Sequence, residues 1–350
     1  MTSQPSAIIT GVTGQDGILL ARALTRAGLH VIGTVRPGSA SAATLHDVYL
    51  RGIEVIEHDV RDVETLECVI RTRSPHLLVN LAGMTSVSAC EANPSLCQQV
   101  NADAVRDMVA TLIGLRDAGH VVPRFLQASS ALMFGDVQAG WVDERTPASP
   151  TTAYGRAKSQ AHAATVRARE QHGLFASCAV LFNHESPLRS DAFVTGKVTR
   201  AAAEIAAGQR DRLHLGNLEV SRDWGWAGDY VEAMVSMLLA VKPRDYVIAT
   251  GVAHSLTDLV ERAFAYAGID DPWDYVDADP TLRRDSEPRT VVGRADLAGQ
   301  VLHWRPRISF AGMIARMVDV DVTRVRTGVE HDPHYLTDDA GLSAAHRACV

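Results

Sequence analysis

The sequence predicts an α/β fold: a Rossmann-type doubly wound parallel sheet with a smaller, interleaved C-terminal substrate lobe. Three observations carry this. Short apolar runs alternate with helix-patterned runs through the first half of the chain. A glycine-spaced turn, Gly11-Val12-Thr13-Gly14-Gln15-Asp16-Gly17, stands directly after the first of those runs. The chain is 350 residues long with 46% hydrophobic and 21% charged residues, an ordinary globular composition large enough for a nucleotide fold plus a second lobe.

The strands read in order. Ala7–Gly11 is a short apolar run closing on glycine, and Leu19–Leu24 follows with helical spacing. His30–Arg36, Ile53–Asp59, Leu77–Ala82, Arg124–Ser129 and Ala176–Phe182 continue the series. Strands separated by helices imply parallel pairing with both faces covered. After Phe182 the rhythm becomes irregular and turn-rich, as at Asn183–Pro187 and Asp279-Pro280. Tyr246–Gly251 reads as a strand returning to the first sheet. The expected division is residues 1–182 as the Rossmann domain with 217–252 returning to it, 183–216 and 253–325 as the second, substrate lobe, and 326–350 as a poorly ordered tail. No internal repeat or low-complexity block is present.

The glycine turn has the chemistry of a dinucleotide loop. Gly11, Gly14 and Gly17 allow a tight turn and close backbone approach, and the following helix offers N–H donors and a favourable dipole to a pyrophosphate. Thr13, Gln15 and Asp16 lie within the same loop. The second strand ends at Arg36, with Ser39 nearby; an Arg there pairs with a 2′-phosphate, whereas an acid would hold a 2′-hydroxyl. This favours NADP, with NAD as the alternative. Asp59 and Val60 end the third strand, where a side chain meets the adenine; Ala82 and Gly83 end the fourth, where small residues leave room for the cofactor.

Tyr154 and Lys158 form a YxxxK pair whose spacing puts both on one helix face. A nearby ammonium favours a phenolate, so Lys158 is expected to lower the Tyr154 pKa. The phenol then exchanges a proton with a sugar hydroxyl while a nicotinamide takes the hydride. Ser130, ending the fifth strand, can hydrogen-bond the same oxygen.

A net charge of -7 gives no global field for nucleic acid or anionic lipid. The five cysteines form no CxxC pair and read as reduced packing thiols. No leader and no bilayer-spanning apolar run is evident, so a cytoplasmic location without membrane association is expected. His331 and His334 are spaced like metal ligands, but a solvated tail is the better reading, and no metal is expected.

Together these residues resemble the GDP-mannose 4,6-dehydratases, a family of extended short-chain dehydrogenases. The resemblance runs through Ile9–Gly17, Gln127–Ser130, Leu181–Pro187, Phe193–Thr195 with Lys197, Gly216–Leu218, Arg222–Gly225, Asp229–Glu232 and Tyr246–Gly251. It implies an NADP-dependent enzyme acting at C4 of a GDP-linked hexose, converting GDP-mannose to the 4-keto-6-deoxy sugar. It implies that Asn183, Arg222 and Arg284 hold the diphosphate and sugar, and that Val194, Lys197 and Glu287 surround the guanine. Ser86 and Glu185 complete the implied substrate set. A homodimer is expected, with a tetramer left open.

The departures are specific. Leu132 stands where the family carries the Glu that performs the elimination, and leucine can neither take the C5 proton nor protonate the C6 hydroxyl. Losing a positioned acid–base group costs about 10²–10⁴-fold. Met84-Thr85-Ser86 replaces Gln-Ser-His, Pro37-Gly38 interrupts the family's Arg-Arg-Ser-Ser loop, and Leu188 and Gly196 replace Arg residues. Ser129-Ser130-Ala131 with Phe134-Gly135 is instead similar to nucleotide-sugar 4-epimerases. Dehydration, 4-epimerisation and 4-ketoreduction therefore all remain open. A non-catalytic NADP-binding regulator is the remote alternative, although such proteins often lose the Tyr or Lys retained here.

Overall fold

The computed structural model describes residues 4–39, 42–137, 140–279 and 290–336. The first half runs β1 (Ser6–Thr10), α1 (Gln15–Arg26), β2 (His30–Val35), α2 (Ala42–Tyr49), β3 (Glu54–Glu57), α3 (Val63–Arg73), β4 (Leu77–Asn80), α4 (Val87–Ala92), α5 (Pro94–Gln98) and α6 (Ala104–Asp117). It continues through β5 (Arg124–Ser130), β6 (Trp141–Val142), α7 (Ala153–His172) and β7 (Ala176–Leu181). Then come β8 (Asn183–Glu185), α8 (Val194–Ala206), β9 (Leu213–Leu215), β10 (Ser221–Trp226), α9 (Ala227–Leu239), β11 (Tyr246–Ile248), β12 (Ala253–Ser255) and α10 (Leu256–Tyr266). The chain closes with β13 (Val276–Ala278), β14 (Val292–Gly293), α11 (Asp296–Val301) and α12 (Phe310–Thr327).

Seven strands form the main sheet in the order β11-β7-β5-β4-β1-β2-β3, and each neighbouring pair is parallel. The order reverses between β1 and β4, and in such sheets ligands bind beyond the strand ends at that switch point. Every residue of β1 is buried, because helices cover both faces. One face packs under α1 and α9 with Leu20, Leu24, Val231 and Met234. The other packs under α3, α6 and α7 with Leu66, Val105, Phe125 and Ala164. Local chemistry sets the helix ends: the Thr152 hydroxyl accepts the Gly155 N–H to start α7, and Gly173 ends it in the left-handed region at φ 66°.

A second core joins α8, α10 and α12 around Trp224, Phe264, Met313 and Ile314. As expected, β11 returns to the main sheet, beside β7. Within 217–252, however, β10 belongs to a separate three-stranded sheet with β8 and β12. Its parallel register with Asn183–Glu185 carries the chain from the first body into the second. No helix among the described residues is long and apolar enough to cross a membrane.

Beyond α12 the described chain continues to residue 336. Arg324 on α12 is buried; its Nη1 donates to Asp321 Oδ1 at 2.8 Å, its Nη2 to the Pro187 carbonyl at 2.8 Å and its Nε to the Glu330 carbonyl at 2.9 Å. Leu336 is fully buried against the first core. The guanidinium thus fixes the chain after α12 because a buried cation must satisfy its donors. Burial raises the Asp321 pKa, and Arg324 opposes that shift. Arg324→Ala is expected to destabilise the fold by about 3–5 kcal/mol, because it strands a buried carboxylate. Arg324→Leu with Asp321→Leu should recover most of the loss. Chemical denaturation of the two variants checks both statements.

Candidate active site

A cavity of about 430 Å³ opens beyond the C-terminal ends of β1, β4, β5 and β7. Tyr154, Lys158 and Ser130 all line it, facing the glycine loop. The first two come from α7 and the third from the end of β5. Lys158 Nζ donates to the Ala128 carbonyl at 2.9 Å and lies 5.8 Å from the Tyr154 ring centre. Ser130 lies beside the Tyr154 phenol and draws its pKa down.

The expected depression of the Tyr154 pKa is not met. Burial pushes the phenol up to about 12, and Ser130 only partly opposes it. Burial also brings the Lys158 ammonium down to about 8. Desolvation disfavours phenolate and ammonium alike, and Lys158 directs its hydrogen bond to backbone. Near neutral pH the pair is therefore a protonated phenol beside an ammonium.

The glycine loop fits a dinucleotide. Gly11 has φ +70°, and a Cβ on Gly17 would lie 2.4 Å from the Gly11 carbonyl oxygen. Side chains at these positions would force the loop open. Gly14 is exposed and precedes the first turn of α1, so helix-end N–H groups face the cavity. Thr13 lines the same wall. Gln15 and Asp16 also line it, but they clasp the Asn183–Ser186 segment. Gln15 Nε2 donates to the His184 carbonyl at 2.9 Å, Ser186 Oγ donates to Gln15 Oε1 at 2.9 Å, and His184 Nε2 lies 2.8 Å from Asp16 Oδ2.

The other expected cofactor residues are not in the cavity lining, although Ala82 abuts Gly11, on which a Cβ would fall 3.0 Å from it. Arg36 is exposed and Ser39 half-buried, just past β2. Asp59 is held by the Arg61 guanidinium at 2.9 and 2.6 Å, whose hydrogen bonds bring its carboxyl down to about 2. Val60 packs against the apolar layer beneath the sheet. The Ala82 N–H donates to Thr10 Oγ1 at 3.2 Å. A Cβ on Gly83 would fall 2.7 Å from Asn101 Oδ1.

Of the expected substrate residues, Asn183, Glu185 and Arg222 line the cavity. Arg222 Nη1 donates to the Ser221 carbonyl at 2.8 Å. Ser86 caps α4 and lies outside the lining, which takes Thr85 instead. Val194 starts α8 and is exposed; Lys197 Nζ donates to the His214 carbonyl at 2.6 Å. Neither lines the cavity. Arg284 and Glu287 lie outside the described residues.

The state of the carboxylates matters for the chemistry. Among the described residues, Asp16, Glu185 and Asp223 line the cavity, and each is already engaged. Asp16 meets His184. Glu185 Oε2 accepts from Arg189 Nε at 2.5 Å and from Thr195 Oγ1 at 2.8 Å. Asp223 accepts from the Thr250 N–H at 2.9 Å, the Thr250 hydroxyl at 2.6 Å, the Gly251 N–H at 3.0 Å and the Gly293 N–H at 3.2 Å. Leu132 lines the same wall and packs on the cluster of Cys90, Cys97 and Tyr154.

Sequence reading missed Asn101, His184, Arg189 and Phe193. Asn101 sits in a π-helical turn, where its side chain accepts the Met84 N–H and donates to the Met84 carbonyl, both at 2.9 Å. The signal for His184 was its place next to Asn183, but its partner Asp16 lies far away in the chain. His331 and His334 do not share a site: the first packs edge-on to Tyr49 and the second pairs with Asp332 at 2.7 Å.

The Asp16–His184 contact gives a pH prediction. Burial works against the His184 charge, but Asp16 outweighs it and the pKa is raised above 6.5. Burial likewise opposes the Asp16 charge, yet His184 draws its pKa below 3.8. The histidine contribution is complete below 6.5 and fades as pH rises through the raised value. The carboxylate contribution is complete above 3.8 and fades as pH falls through the depressed value. Denaturant midpoints should therefore fall on going alkaline from the mildly acidic range, and His184→Gln should flatten that fall.

The chain matches the model of the family described as GDP-mannose 4,6 dehydratase over residues 8–317. It is 38% identical over 326 residues to GDP-mannose 4,6 dehydratase 2 of Arabidopsis thaliana, covering 90% of this chain and 86% of that one. It is 35% identical over 346 residues to the GDP-mannose 4,6 dehydratase of Homo sapiens, covering 92% of each. Among solved structures, the UDP-glucose 4-epimerase of Thermotoga maritima superposes with a TM-score of 0.79 at 20% identity, over 91% of this chain and 98% of that one. A dTDP-glucose 4,6-dehydratase of Streptomyces venezuelae superposes with a TM-score of 0.78 at 20% identity, over 90% and 96%. These two likenesses establish the shared fold, and the sequence matches establish the lineage: the chain belongs to the GDP-mannose 4,6-dehydratase family.

Proposed function

We propose that this protein is an NADP-dependent enzyme that moves hydride and proton at C4 of a GDP-linked hexose, without efficient elimination across C5 and C6. One observation carries the reading. Tyr154, Ser130 and Lys158 share a cavity with the glycine loop, while Leu132 occupies the wall and Asp16, Glu185 and Asp223 are all engaged. This arrangement supports C4 chemistry, and each carboxylate lining the cavity among the described residues already accepts a hydrogen bond.

The glycine loop and the start of α1 would hold the pyrophosphate, and Arg36 with Ser39 would take the 2′-phosphate. When bound, the dinucleotide supplies hydride exchange with C4. The remaining work belongs to the chain. Tyr154 is protonated at rest and would donate its proton to the oxygen on C4 as the carbon gains hydride, and take it back in the reverse direction. Ser130, beside the phenol, would bond the same substrate oxygen and help orient it. Lys158 stabilises negative charge on the phenol oxygen as it develops. Arg222 and Asn183, with Arg284, would receive the diphosphate; Val194 and Lys197, with Glu287, would receive the base. Ketoreduction needs one face of the 4-keto sugar, whereas epimerisation also needs the sugar to turn over in the cavity. The family's dehydration is the second reading, favoured by the 38% identity to a dehydratase.

Purified protein with NADP and GDP-mannose separates these outcomes through product mass and NMR. The expected product has unchanged mass with C4 altered, or no product forms until a 4-keto GDP-sugar and NADPH are offered. Loss of one water at an ordinary enzymatic rate would contradict the reading. Leu132→Glu is expected to raise water loss at least about tenfold, within the range one acid–base group supplies; an unchanged rate counts against Leu132 as the cause. Tyr154→Phe should abolish C4 turnover. The lysine charge is complete well below its lowered pKa of about 8 and is lost above it, so reductive turnover should decline through that pH.

A further inference from the structure

Behind the catalytic pair, α7 presents one more polar side chain on the same face. Tyr154, Lys158 and His162 are spaced i, i+4, i+8. His162 Nδ1 lies 3.3 Å from Ser129 Oγ on β5, and its Nε2 faces Asp245 Oδ2 at 3.8 Å, just before β11. Asp245 is itself fixed, since Arg169 Nη1 and Nη2 donate to its two oxygens at 2.8 and 2.7 Å and the Cys178 N–H donates at 2.8 Å. The network therefore ties α7 to β5 and to the β7–β11 edge of the sheet.

Its place in the sequence gives it a consequence. Ser129 stands between Ala128, whose carbonyl holds Lys158, and Ser130, which lines the cavity beside Tyr154. We propose that Ser129, His162 and Asp245 are positioning residues that fix the 128–130 peptide against α7, and so set the geometry of Lys158 and Tyr154. This deepens, and rests on, the C4 reading above.

The tautomer follows from the neighbours. A carboxylate facing Nε2 favours the proton there, which leaves Nδ1 to accept the Ser129 hydroxyl. The other acceptor near that hydroxyl, Met133 Sδ at 3.5 Å, is weak. The charged and titratable groups around the ring are Asp245, Arg169 and the buried Cys178, whose Sγ meets the His162 carbonyl at 3.9 Å. Burial holds the imidazole below its ordinary pKa, so it stays neutral at working pH. Protonation at low pH removes the Nδ1 acceptor and loosens Ser129.

Two other readings of the cluster fail. The donor atoms of His162, Cys178 and Asp245 lie within 4.8 Å of one another, but Arg169 already donates to both oxygens of Asp245. Ser129 is also a poor nucleophile, because it is 3% exposed and turned toward α7.

The test has two arms. Side-chain nitrogen NMR of the ligand-free protein should show a neutral His162 ring near pH 7 with its proton on Nε2, and Ser129→Ala should shift the Nδ1 resonance. A ring that titrates like a free histidine, or an Nδ1 resonance indifferent to Ser129→Ala, overturns the proposal. This arm stands even if GDP-sugars prove not to be substrates. In the kinetic arm, Ser129→Ala and His162→Gln should each lower kcat for C4 turnover roughly tenfold with KM little changed. His162→Gln should also remove the acid-side inflection from the kcat–pH profile. A merely structural role would lower thermal stability and leave that inflection in place, and this result would also overturn the proposal.

Discussion

The site depends on one buried hydrogen bond, from the Lys158 ammonium to the Ala128 carbonyl. A buried ammonium is costly unless its donors are met, and this one is met partly by a strand backbone. The bond joins α7 to β5 at the sheet's ligand-binding end. It places the lysine on the same cavity wall as Ser130 and Tyr154. The pKa directions follow from the same burial: the lysine falls and the phenol rises because both lose water. Ser129 and His162 then hold the segment that carries the accepting carbonyl.

A second constraint is what the cavity denies. Elimination across C5 and C6 needs a group able to take a proton from carbon. Asp16, Glu185 and Asp223 each serve the fold, joining the glycine loop to β8, β8 to α8, and β10 to the strand ends beyond β11 and β14. Releasing any of them would strand its partners, so none is free without structural cost. Leu132 adds apolar surface to the same wall. On the proposed reading, the chain keeps the family's framework and the C4 machinery while lacking the side chain for the later step.

Much of this was legible in the sequence because it is local. Period and glycine spacing gave the strands of the main sheet and the cofactor loop, and the YxxxK spacing gave the catalytic helix face. Leu132 was visible as a departure from a motif. The rest depended on distance along the chain. Gln15 and Asp16 are read from the loop's spacing, but their partners His184 and Ser186 lie far along the chain. The lowered tyrosine pKa followed from sequence neighbours alone, while burial, which decides the shift, is a tertiary property. The mixed membership of 217–252 was hidden because β10 pairs with β8 and β12 through contacts that no periodicity encodes.

The central claim is that this cavity handles C4 and leaves the C5 proton alone. The most direct measurement is turnover of the GDP-sugar in deuterium oxide, with deuterium at C5 read by NMR while conversion at C4 proceeds. The account predicts that C5 keeps its original hydrogen throughout. Deuterium appearing at C5 at a rate matching the C4 reaction would mean that a base operates there, and the account would be contradicted.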